Sequence, residues 1–203
     1  MASRRYLLAV LVLSAAVAAP LAQARFSKTE ADRFQSKLTK IVQNGAARAP
    51  RSAAATSRTT QVSDAEVNAY LRYHATADIP VGVVEPTITS LGEGRLAGRA
   101  IVDLDAVRKQ KQRGWLDPLG YLTGRLPVTA AGRLATKNGV GRFELESAEV
   151  SGVPVPKAFI QELVSFYSRR PEDPDGINMD DPFELPARIR EIRVARGAAT
   201  VVQ

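Results

Sequence analysis

The chain has 203 residues, with 28 Lys and Arg against 21 Asp and Glu, one histidine and no cysteine. An apolar share of 45% with 24% charged residues fits a globular protein of about one domain and argues against a disordered chain. The missing cysteines exclude disulfides, thiolate metal sites, thiol nucleophiles and a lipoprotein anchor. The lone His74 excludes a multi-histidine zinc site.

The N-terminus reads as a secretory signal, residues 1–24. Arg4 and Arg5 form a basic start, residues 7–19 an apolar core, Pro20 breaks it, and Ala22-Gln23-Ala24 offers a small-residue cleavage site. The apolar core is short for a bilayer span, which sets the cleaved signal ahead of an uncleaved N-terminal anchor. Export to the periplasm or the exterior is the expectation. Loss of the two arginines lowers the formal charge of +7 by two.

Residues 25–45 read as a separate amphipathic helix. Ser27 and Glu30 have capping-box spacing, and Ala31, Phe34, Leu38 and Ile41 recur at helical intervals. Residues 46–60 are Ala, Arg, Ser and Thr around Pro50, too poor in large apolar side chains to order the chain, and read as a flexible linker. The remaining stretch, 61–203, reads as one domain. It opens on a second capping box, Ser63-Asp64-Ala65-Glu66, and a short helix with Val67, Tyr70 and Leu71 on one face.

From there the period changes to two. Residues 83–91 and 95–104 flank Gly92-Glu93-Gly94 as a β-hairpin. In its second strand Leu96, Gly98, Ala100, Val102 and Leu104 share a dry face opposite Arg95, Arg99 and Asp103. Residues 125–136 and 140–150 surround Asn138-Gly139, whose tolerance of positive φ suits a type I′ turn. Leu126, Val128, Ala130, Gly132 and Leu134 point inward in one strand and Phe143 and Leu145 in the other. A bulge near Ser147 and Ala148 would restore Val150 to that face. A third hairpin spans 188–194 and 198–202, making the C-terminal strand an edge or closing strand. A short charged helix is expected at 105–113. A second helix, at 156–169, carries Phe159, Ile160, Leu163, Val164, Phe166 and Tyr167, apolar around most of its circumference and so expected to be surrounded. The fold class is α+β, a long, curved antiparallel sheet wrapped around a buried helix.

Few residues carry chemistry. His74 has no nucleophile or orienting acid in a recognisable motif, and no Gly-x-Ser-x-Gly elbow occurs, so no enzymatic activity is expected. The Gly92 to Gly98 glycines sit in a hairpin, where a nucleotide loop does not belong. The acidic loop 173–181 could cage calcium, but its spacing departs from the EF-hand, and turn chemistry accounts for the same residues. No cofactor or metal is expected. Arg48, Arg51 and Arg58 with Arg188, Arg190, Arg193 and Arg196 either meet an anionic membrane surface or form a solvated face. Nucleic acid is not expected, since no recognition motif is present. Gly98, Ala100, Ala130 and Gly132 take volume away from the middle of the dry face. A closely packed helix or an apolar ligand slot would both explain it.

The segment Val62-Ser63-Asp64-Ala65-Glu66-Val67-Asn68-Ala69-Tyr70-Leu71 resembles the opening of bacterial tubular lipid-binding (TULIP) domains, among them the YceB-type and LmeA-like envelope proteins. The resemblance continues in Pro80-Val81-Gly82-Val83, Gly94-Arg95-Leu96-Ala97-Gly98, Gly132-Arg133-Leu134, Val150-Ser151-Gly152-Val153-Pro154-Val155-Pro156 and Leu185-Pro186. It implies a half-barrel cradling a helix, an apolar groove for lipid chains and no enzymatic activity. The YceB type carries a lipoprotein cysteine that this chain lacks. On this reading the protein is a periplasmic lipid-binding protein. Its groove is lined by Leu96, Ala100, Val102, Leu126, Val128, Ala130, Leu134, Phe143 and Leu145 from the sheet, and by Tyr70, Phe159, Leu163 and Phe166 from helices. The rival reading is an envelope interaction or assembly module with a filled core and no ligand.

Overall fold

A computed structural model describes residues 26–46, 57–77, 79–110, 123–169 and 174–203. The expected signal sequence and most of the expected linker lie outside them. The elements in chain order are α1 (Lys28–Ala46), β1 (Thr59–Ser63), α2 (Asp64–Tyr73), β2 (Val83–Gly92), β3 (Arg95–Asp103), α3 (Leu104–Gln110), β4 (Arg125–Lys137), β5 (Val140–Val150), β6 (Val153–Pro154), α4 (Lys157–Ser168), β7 (Phe183–Glu184), β8 (Glu191–Ala195) and β9 (Ala198–Val202).

The strands form two antiparallel sheets. The larger is curved and open, in the order β2-β3-β4-β5-β6, with β7 paired to the other end of β5. The expected hairpins are its framework. Asn138 and Gly139, at φ 54° and 83°, make the tight β4–β5 turn that their tolerance of positive φ allows. The bulge also forms, one residue earlier than its expected place. Ala131 pairs with Ser147 while Gly132 pairs with Leu145, so Glu146 is the extra residue. Beyond it Ala148 and Val150 join the face that carries Phe143 and Leu145.

The last hairpin, β8–β9, leaves this sheet. It forms a second sheet in the order β1-β9-β8, which makes β9 a central strand instead of the expected edge or closing strand. The cause is β1, whose first two residues belong to the stretch expected to be flexible linker. Thr59, Thr60 and Val62 are β-branched, and alignment with Val202, Val201 and Ala199 gives a weakly apolar segment a full ladder of partners.

The expected free-standing N-terminal helix is likewise packed. Its Phe34 ring lies edge-on to Tyr70 at 5.1 Å, and Asp32 Oδ1 meets His74 Nε2 at 2.7 Å. The link between α1 and α2 is centred on Glu66. Its carboxylate accepts from the Ser63 backbone N–H at 3.0 Å, while the Ser63 hydroxyl accepts from the Glu66 N–H at 3.2 Å, which completes the capping box. The same carboxylate takes the Lys37 ammonium of α1 at 2.7 Å through both oxygens. One buried side chain thus starts α2 and holds α1.

Helix α2 in turn closes the outer edge of β2. Asn68 Nδ2 donates to Ile88 O at 2.8 Å and Asn68 Oδ1 accepts from Ile88 N at 2.7 Å. Asp64 accepts from the Ser90 N–H at 2.7 Å and from its hydroxyl at 2.6 Å. These side chains replace the missing neighbouring strand and leave no template there for another chain. Asn68→Ala strips both partners from a sequestered peptide and should lower stability by about 2–3 kcal/mol, read from urea unfolding midpoints.

The well-buried apolar residues concentrate in this head: Ala31, Ile41, Val62, Ala69, Ala75, Ile189, Val194 and Val202. In the long sheet only Leu145 and Ala148 reach comparable burial, joined by Leu104 where β3 passes into α3. Helix α4 departs most from expectation. None of its described side chains is buried, and it is not wrapped by the sheet. Strands β6 and β7 pin the two ends of its segment to β5, so the helix runs alongside that strand. Its polar contacts go to the returning connection. Gln161 Nε2 donates to Ile177 O at 3.0 Å, Met179 N donates to Gln161 Oε1 at 2.8 Å, and Ile177 N donates to Ser168 Oγ at 2.7 Å.

Candidate functional site

The strand registers bring nine of the expected lining residues onto one face of the long sheet. Val102 stands opposite Leu126, Ala100 opposite Val128, and Leu134 opposite Phe143. Leu96 and Leu145 flank Gly132, and Ala130 lies between Gly98 and Ala148. Val83 and Ile88 of β2 extend the row through Val102 and Gly98, and Ala148 and Val150 extend it beyond the bulge. Val83, Ile88 and Ala148 were not among the expected lining residues. The bulge position signals Ala148, because one extra residue in β5 reverses which side chains face inward. Val83 and Ile88 become partners of this face only through the β2–β3 register, which a bulge between Val84 and Thr87 resets.

The helical contributions divide. Phe159 and Leu163 are half-buried on α4, beside β5. Tyr70 is elsewhere: its ring packs between Phe34 and His74, at 5.1 and 5.9 Å, in the interface between α1 and α2. Amphipathic spacing marks the buried side of a helix without saying what covers it, and here α1 covers it. The Phe166 side chain lies outside the described residues.

The two small-residue positions behave differently. A methyl group at Gly132 would lie 2.5 Å from both the Glu144 carbonyl oxygen and the tip of the Phe143 ring, so Gly132 serves close packing. At Gly98 the nearest atom would be the Thr87 carbonyl oxygen at 3.9 Å, which leaves open volume above the backbone. A packed helix accounts for neither glycine: Gly132 is filled from the neighbouring strand β5, and Gly98 is left open. Among the described residues no large side chain is fully buried, and most of the face is half-exposed. It is an open apolar face.

A cavity of about 450 Å³ adjoins the β4–β5 turn end of this face, between Phe143, Ile177, Met179, Pro182 and Phe183. A smaller hollow of about 190 Å³ lies over Thr87, Thr89, Ala97, Arg99, Thr129, Ala131 and Ser147 of the polar face and is also lined by Gly98 and Ala130. Charges stay on that polar side, where Arg95 Nε meets Glu146 at 2.8 Å and Arg125 meets Asp103 at 3.8 Å.

Other candidate chemistry is turned inward on itself. His74 is occupied by Asp32 and Tyr70. In the acidic loop Asp180 pairs with Lys157, Asn178 donates to Asp181 at 3.0 Å and accepts from the Asp180 N–H at 3.1 Å, while Asp173 lies outside the described residues. Among the described residues no cluster of three metal-ligating side chains occurs, and no helix is long and apolar enough to cross a membrane.

No family model matches the sequence, and no curated protein matches it. Among solved structures the chain is similar to the crystal structure of a lipopolysaccharide binding protein, at 14% identity and a TM-score of 0.22. The match covers 77% of this chain and 45% of that one, so this chain spans a little under half the length of the protein it overlays.

Proposed function

We propose that this is a non-enzymatic lipid-binding protein of the cell envelope, exported by its N-terminal signal, that shields acyl chains against the apolar face and carries lipid between membranes. The observation that carries this reading is a continuous apolar face across four strands, thinned at Gly98 and half-exposed along most of its length. Water on such a face is displaced favourably by hydrocarbon, and non-directional burial requires no polar signature. Ten covered methylenes at about 0.8 kcal/mol each give about 8 kcal/mol, the scale of a micromolar dissociation constant before ordering costs. The order of the motifs that resemble those of TULIP domains supports the same reading.

Native mass spectrometry of the purified protein, before and after incubation with phospholipid vesicles, tests it. A mass increase of one or two acyl lipids is expected. A protein that arrives without lipid and takes none up would instead be an envelope interaction or assembly module. One observation favours that second reading locally: the Phe143 and Phe183 rings occupy the space over Gly132 and Gly141 at the turn end.

A further inference from the structure

Backbone hydrogen bonds gather five distant segments at one end of the molecule. Gly139 N donates to Arg190 O at 3.0 Å, and Gly139 O accepts from Leu185 N at 2.7 Å. Val140 pairs with Glu184. Arg58 and Gln203 exchange backbone bonds at 3.1 and 2.9 Å, and the Gln203 amide ties Ile41 O of α1 to Ala187 O at 2.8 and 2.7 Å. The C-terminal turn of α1, the β4–β5 turn, the 185–190 connection and the ends of β1 and β9 are therefore neighbours.

This end combines two features that a soluble surface usually keeps apart. Val42, Val140, Ile177 and Phe183 are exposed at 60%, 45%, 56% and 45%. Around them stand cations without carboxylate partners among the described residues. Lys137 and Arg142 are exposed, Arg58 Nη1 donates only to the neutral Asn44 at 2.8 Å, and Arg190 Nη2 donates only to the Gln203 carbonyl at 3.1 Å. The acidic side chains nearby are Glu144, Glu184 and Glu191, the last paired with Arg193, and, in the loop that carries Ile177, Asp175, Asp180, which pairs with Lys157, and Asp181, which accepts from Asn178. The cavity of about 450 Å³ opens here, and its Phe143 wall belongs to the apolar face.

We propose that this end docks on an anionic bilayer surface, with the basic side chains at the headgroups and Val140 and Ile177 in the interfacial region, so that an acyl chain reaches the apolar face past Phe143 without crossing water. The inference rests on the lipid-binding reading and adds the face through which lipid is exchanged. Cations near a negative leaflet and shallow apolar insertion act together, since either signal alone gives weak, reversible adsorption.

Vesicle flotation of the full mature chain tests the docking. Binding to phosphatidylcholine vesicles containing phosphatidylglycerol should exceed binding to phosphatidylcholine alone and weaken with salt. The Lys137→Glu/Arg142→Glu variant should bind about 30-fold more weakly. Ile177→Ser should lose mainly the salt-resistant part, and Arg99→Glu, on the polar face of the sheet, should bind as the parent does. Among the described residues neither the Lys137 nor the Arg142 side chain makes a hydrogen bond or ion pair, so unchanged circular dichroism and melting are expected for the double variant. That variant should still take up lipid delivered from detergent micelles, which separates docking from binding. Equal binding to both vesicle types, an unaffected double variant, an equal loss with Arg99→Glu, or preference for a soluble polyanion over vesicles would each overturn the docking face. No lipid uptake by either route would overturn it together with the function beneath it.

Discussion

Substitution of the two thinned positions on the apolar face should have opposite consequences. Gly132→Ala is expected to destabilise the protein by about 1–3 kcal/mol, because its new methyl group meets the Glu144 carbonyl and the Phe143 ring at 2.5 Å and the backbone at the bulge has little room to yield. Gly98→Val, two positions from Leu96 on the same face, meets nothing closer than 3.9 Å at its Cβ. It should gain about 0.5–1 kcal/mol from reduced backbone entropy in the unfolded chain. Its branched side chain occupies the open volume, however, so lipid uptake measured by native mass spectrometry should fall at least several-fold. A variant that is more stable yet loads less lipid separates lipid occupancy from folding. Unchanged loading by a folded Gly98→Val protein would place the lipid elsewhere.

Glu66→Gln should have the second large effect. The substitution keeps the shape and much of the cap but removes the charge that holds Lys37, leaving an ammonium partly enclosed between α1 and α2. Breaking a fully buried pair costs about 3–5 kcal/mol. The Lys37 side chain retains 32% of its exposure, so a loss of about 2–3 kcal/mol is expected from urea unfolding. Because α1 is attached through this pair, tryptic cleavage within α1 should also accelerate. Glu66 carries a pH signature as well. Burial pushes its carboxyl up, but the Lys37 ammonium and the Ser63 N–H and hydroxyl outweigh burial and hold it below the ordinary value of 4.5. A carboxyl lowered on folding contributes its full stability above that ordinary value and loses it as pH falls through the lower folded value. The parent should therefore lose melting temperature below about pH 4.5 by an increment that Glu66→Gln lacks.

Much of the long sheet was legible because its signals are local. Alternation over nine or more residues marks β3 and β4, and Asn138-Gly139 sets the register of β4 on β5 without reference to the rest of the molecule. The Ser63–Glu66 box was legible for the same reason, since both partners lie within one helical turn. Local signals did not reveal the second use of Glu66, because Lys37 is 29 positions away and nothing near it announces a partner. Nor did they place Tyr70. An apolar stripe on a helix states that something covers it, and only the packed chain shows that α1 does.

The sequence by itself thus determined the hairpins, the alternation within each strand and the caps, each an interaction between residues close along the chain. The tertiary structure decided how those pieces were distributed. β1 drew the last hairpin into a second sheet, α1 joined the head, and β6 and β7 held α4 to the side of β5, leaving the apolar face open. These outcomes depend on competition among distant segments for the same unsatisfied edges and apolar surfaces. That competition is resolved by total burial and hydrogen bonding across the whole molecule, which no single stretch of sequence encodes.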